Sequence, residues 1–108
     1  MDVSTVLIEL KPDTQDNVDV WQEALNTRKD EAIETLRAEG VFIETWFQIE
    51  IENKQYLIAY MRSKDIKEAQ RIGRESTFDI DQIHKAFKKT WQKVYPAMLL
   101  VDLEYKGE

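Results

Sequence analysis

No cysteine occurs anywhere in the 108 residues, which excludes disulfide stapling, thiolate metal sites and thiol redox catalysis. The three glycines are widely separated, so no loop of the kind that cradles a phosphate is available. A single histidine, with neither an HExxH helix nor an EF-hand loop, supplies no metal-ligand set, and no metal or cofactor is expected. Ser63 and Ser76 lie in no nucleophile elbow. No stretch approaches the roughly 20 apolar residues of a membrane span. The start, "MDVSTVLIELKP", lacks the basic n-region and long apolar core of a signal peptide. A cytoplasmic protein without membrane contact is the expectation. Positive charge is also short: fifteen basic against twenty-one acidic side chains leave a net charge of −6. A phosphate backbone would be repelled, so no nucleic-acid partner is expected. Lys85, Lys88, Lys89 and Lys93 form the one basic cluster, and we read it as a solvated helix face.

What is present suits one globular domain over residues 1–108, with 43% hydrophobic and 33% charged residues, long enough to bury a core unaided. In "VSTVLIEL", Val6, Ile8 and Leu10 alternate with Thr5, Leu7 and Glu9. This is a strand, stopped by Pro12. From about Asn17 to Glu39 the apolar spacing is helical, through Val18, Trp21, Leu25, Ala32 and Leu36, with Gly40 as the stop. "VFIETWFQIEIENKQYLIAYMR" reads as two strands joined at the polar "ENKQ". Pairing Ile51 with Tyr56 sets Ile58 and Tyr60 beside Ile49 and Phe47; a one-residue slip would exchange the faces. Ser63 is placed to cap a short helix, "KDIKEAQRIG". A second helix has Asp79 as N-cap, Gln82 at N3 and a Phe78–Ile83 staple. "AMLLVDLEY" after Pro96 is expected to be the fourth strand.

This βαββαβ order, with the second crossover split into two helices, packs economically as an α+β domain: a four-stranded antiparallel sheet with helices on one face. The uncovered face is expected to carry Leu7, Phe42, Trp46, Leu57, Met61, Met98 and Leu100. That is too large an apolar surface for a monomer, so a second copy packed sheet to sheet is expected.

Two residues stand out chemically. His84 shares a helical face with Ile80, Ile83, Phe87, Trp91 and Val94, so its imidazole should point at the sheet. It is then either a neutral core histidine with one hydrogen bond or an acid–base or ligand-contacting group. Glu44, in "FIETWF", is a carboxylate among aromatics in mid-strand. It either faces a partner copy, paired with arginine or water, or lines a cavity. Tyr60 and Arg62 are further polar candidates for ligand binding, with Trp46 beside Glu44. Trp21, Trp46 and Trp91 suit a core or interface better than a stacking platform.

"LIELKP", "VDVWQEALNTRKDEAIETLRAEGVFIETWF" and "FDIDQIHKAF", in this order and spacing, resemble the successive signatures of a family of small bacterial proteins of unknown function. Proteins of this kind are similar to the dimeric α+β barrel (ferredoxin-like) superfamily, which includes antibiotic-biosynthesis monooxygenases, haem-degrading monooxygenases and rhamnose mutarotases. The resemblance covers most of the chain and implies a homodimer, with the family pattern falling on Glu44, Asp81 and His84. It supplies no reaction. Haem-degrading relatives pair their helix histidine with a first-strand asparagine, which "STVLIEL" lacks, and a mutarotase-like site asks for more than one histidine or a clear acid–base pair. "PD" at Pro12-Asp13 stands where "PG" is expected. The combined expectation is a small organic ligand between sheet and helices, with isomerase- or monooxygenase-like chemistry open. A non-catalytic dimeric module is the alternative.

Overall fold

A computed structural model describes residues 1–107. Along the chain run β1 (Asp2–Leu10), α1 (Gln15–Thr27), α2 (Lys29–Glu39), β2 (Val41–Ile51), β3 (Lys54–Ser63), α3 (Ile66–Glu75), α4 (Asp79–Phe87) and, after a 3-10 turn over Lys88–Thr90, β4 (Trp91–Pro96). The four strands form one sheet in the order β2-β3-β1-β4, and every neighbouring pair is antiparallel. This is the expected α+β, ferredoxin-like arrangement.

The turn after β1 explains the missing glycine. Asp13 takes φ 59°, the left-handed conformation that aspartate tolerates better than most residues, and Thr14 Oγ1 donates to Lys11 O at 2.8 Å to close the turn. The single long helix expected next is two. Arg28, at φ −110° and ψ 40°, breaks it where Thr27 Oγ1 bonds back to Glu23 O at 2.8 Å, the local competition by which threonine loosens a helix. Gly40 is left-handed at φ 73° and its N–H reaches Arg37 O and Leu36 O, the helix stop that its sequence position suggested.

Glu52 and Asn53 both have positive φ, 50° and 67°, so β2 and β3 join through a two-residue turn and Ile51 pairs with Lys54, not Tyr56. Ile58 consequently opposes Phe47, and Tyr60 opposes Thr45. At the other end of β2, a bulge at Phe42 separates Val41, opposite Ser63, from Ile43, opposite Arg62. The bulge turns Val41 inward, where it is buried, and leaves Ile43 with the outward row.

Three further expectations are corrected. Asp65, not Ser63, caps α3, its carboxylate accepting from Glu68 N; Ser63 is fully buried within β3. The N-cap of α4 is Phe78, half-exposed, while Asp79 is the first helical residue and makes no capping bond. Asp65 is therefore the carboxylate whose removal weakens a helix start. The fourth strand is "WQKVYP", ending at Pro96, not "AMLLVDLEY" after it. Trp91 and Val94 thus leave the α4 face, and beyond Ala97 N, which donates to Thr5 O at 2.9 Å, residues 98–107 carry no strand.

The core lies between the helices and one sheet face, around Ile8, Leu10, Val18, Trp21, Leu57 and Phe87, with Ile8 0% exposed. Leu57, and by register Trp46 and Met61, belong to this inner face, not to the uncovered one. The bare face instead carries Leu7, Ile43, Phe47, Ile49, Ile51, Ile58 and Tyr95, with Phe47 57% exposed. The more apolar row of β2 therefore faces outward, and the row holding Glu44, Trp46 and Gln48 faces the helices. The pairing parity was right and the choice of face was wrong. Counting apolar residues favoured the row that, in a protomer alone, has nothing to pack on. The basic cluster is no single face either: Lys85 Nζ donates to Arg74 O and Ser76 O, Lys88 lies over the Trp91 ring, and Lys93 lies over Tyr95.

Candidate functional site

Between the inner sheet face and the helices lies a cavity of about 1210 Å³, partly open to solvent. It is more roomy than the roughly 300–1000 Å³ of most small-molecule pockets. Its body is apolar, built from Leu25, Leu36, Leu57, Met61, Ala69 and Ile80, and one end gathers Glu39, Glu44, Asp81, His84 and Lys88. Two residues singled out in the sequence, Glu44 on β2 and His84 on α4, lie forty positions apart in the chain and face this one cavity. Trp46 lines it with them. Tyr60 and Arg62 do not: they lie on the other side of the sheet, where Arg62 Nε donates to the Tyr60 hydroxyl and the guanidinium forms a two-point ion pair with Asp102, at 2.5 and 3.1 Å.

Aromatic rings hold the polar end in place. Trp21, presented by α1, stacks on Phe87 with centroids 4.4 Å apart and meets Trp46 edge-on at 5.0 Å. Its indole N–H donates to His84 Nδ1 at 3.1 Å. On the strand side, Trp46 Nε1 donates to Glu44 Oε1 at 3.0 Å. The Trp46 and Trp91 rings stand edge-on to the imidazole at 5.4 and 6.2 Å. Each of the two candidate polar groups is thus oriented by a tryptophan N–H, and the two tryptophans touch each other.

Burial sets the charge state. Desolvation, with Lys88 adding to it, lowers the His84 pKa to about 4, so the imidazole is neutral at pH 7. Desolvation also raises Glu44; the Trp46 bond opposes this and Asp81 adds to it. Glu39, the last residue of α2, is raised to about 7 by desolvation first and then by Asp81 and Glu44. Glu39 had drawn no attention in the sequence, where "AEG" reads only as a helix ending. Its role depends on Gly40 turning the chain so that α2 ends against β2. Asp81, which the family resemblance had marked, accepts a hydrogen bond from Ser76 Oγ and reaches the same cavity. Among the described residues, no three His, Asp or Glu side chains are grouped as metal ligands. No helix of the described residues is long and apolar enough to cross a membrane.

The Glu39 shift gives a signed pH effect. A carboxyl raised from 4.5 to about 7 favours the fold at low pH and loses that contribution as pH rises through 7. Glu39→Gln is therefore expected to melt higher than the natural protein at pH 8, with the difference shrinking at pH 5. Calorimetric scans at the two values check this, and an advantage equal at both would show that Glu39 titrates normally.

Comparisons with known proteins agree with this architecture. A crystal structure of a dimeric ferredoxin-like protein from an uncultured marine organism matches with a TM-score of 0.56 at 10% identity, over 95% of this chain and 91% of that one. At such identity the likeness concerns the fold alone. No curated protein matches. The model of the "Family of unknown function (DUF6176)" matches residues 1–106, and the chain belongs to that family.

Proposed function

We propose that the protein works as a homodimer, joined through the open sheet face, in which each protomer binds a small, largely apolar organic molecule between sheet and helices. Glu44 and His84 are the polar groups that meet it, and proton transfer between ligand and carboxyl is the chemistry this pair suits. The carrying observation is that these two residues, remote in sequence, face one cavity that side chains leave unfilled. A purely structural role for His84 would suit a filled core. The cytoplasm is the compartment that a cysteine-free sequence suits.

Support for the second copy comes from the apolar row on the bare face and from the stretch after β4. Met98, Leu100 and Leu103 are each more than four-fifths exposed, and the Arg62–Asp102 pair fastens this stretch to the open side of the sheet. Such surface is uncommon on a monomer, and the marine structure is described as dimeric.

Filling the cavity tests the ligand reading. Met61→Trp adds bulk on the cavity floor. Native mass spectrometry after incubation with a small-molecule extract should show added mass on the natural protein and none on a folded Met61→Trp variant. A natural protein that retains nothing from any extract would sink the proposal.

A further inference from the structure

His84 has one basic lone pair as a neutral imidazole, and it is occupied. An indole N–H is a donor only, so the 3.1 Å contact from Trp21 Nε1 makes Nδ1 the acceptor and places the ring proton on Nε2. Trp21 has no freedom to release that bond. It is 5% exposed, stacked on Phe87 and flanked by Trp46. Protonating Nδ1 would set two donors against each other. Nε2 has no hydrogen-bond partner among the described residues, yet it is not one of their sealed, unpaired buried atoms, and His84 lines the cavity. Glu44 is the complement: one carboxyl oxygen is taken by Trp46 Nε1, and the other remains to accept or carry a proton.

We infer that His84 is locked as the hydrogen-bond donor of the cavity, its Nε2–H serving an acceptor oxygen (a ketone, quinone or phenolate) on a bulky apolar ligand. This rests on the cavity being a small-molecule site and narrows both the ligand class and the division of labour. His84 holds the oxygen, and the carboxyl end containing Glu44 and Glu39 is where a proton is exchanged. Desolvation keeps the imidazole neutral, which agrees with a donor that never becomes an imidazolium at pH 7. The positive charge of Lys88, which lines the same cavity, acts in the same direction.

The probe pair is 1-tetralone and tetralin, identical bicycles except for one carbonyl, titrated into the full chain and followed by amide chemical shifts. The natural protein should bind 1-tetralone roughly fivefold more tightly, the ratio one net hydrogen bond supplies. His84→Phe should bring the two affinities together while tetralin still binds. Imidazole ¹⁵N spectra at neutral pH should show the Nε2–H tautomer in the natural protein and a mixture in Trp21→Phe, which keeps an aromatic ring and removes the N–H. Equal affinities for both probes in the natural protein would overturn the donor role and leave the cavity reading standing. Failure of both probes to bind would overturn the two together. An Nδ1–H tautomer or an imidazolium would overturn the lock by itself.

Discussion

Phe47→Asp is expected to reduce a particle of about twice the 12.8 kDa chain mass to the mass of the chain alone. Phe47 lies opposite Ile58 in the middle of the β2–β3 ladder and is 57% exposed in the protomer, so a carboxylate there costs the protomer's own fold little. In a two-fold interface the same patch meets itself, and one substitution therefore buries two charges. An unpaired buried carboxylate is among the most expensive groups an interface can hold. Sedimentation equilibrium at micromolar concentration decides it. A natural protein that is already monomeric would remove the sheet-to-sheet dimer, and a Phe47→Asp dimer as tight as the natural one would move the interface elsewhere.

Trp21→Ala should have the largest effect on stability, a loss of about 3–5 kcal/mol, the range for deleting a large aromatic from a core. The side chain stacks on Phe87, abuts Trp46 and donates to His84, so its removal opens a void and leaves a half-buried acceptor unpaired. The loss has a pH signature. His84, lowered to about 4 in the fold, contributes stability that is present above about 6.5 and lost as pH falls through about 4. Admitting water beside the imidazole should return its pKa toward the ordinary value and flatten that acid-side decline. Denaturant titrations of both proteins at pH 7 and pH 5 measure the two effects. A loss below about 1 kcal/mol would mean that the site collapses around the void.

Periodicity along the chain was enough to determine the βαββαβ order, the helix stop at Gly40 and the alternation in β1, because each depends on local geometry and on burial of one side of an element. It also marked His84 and Glu44, since a polar residue in an apolar row is visible without any partner. Which side of the sheet is covered was not local. Both rows of β2 carry apolar residues, and the choice rests on the two-residue turn, the bulge at Phe42 and the helices that pack above Glu44, Trp46 and Gln48. The position of β4 was decided in the same way: by spacing, Trp91 and Val94 continue the helical face of His84, and pairing with β1 made "WQKVYP" the strand in place of "AMLLVDLEY". Tertiary structure alone brought Trp21 to His84 and Glu39 to Glu44, because these contacts join elements separated by turns whose angles no residue pattern specifies. Those contacts set the imidazole tautomer and the raised carboxyl, since desolvation and hydrogen-bond direction belong to the assembled site and to no single segment of the chain.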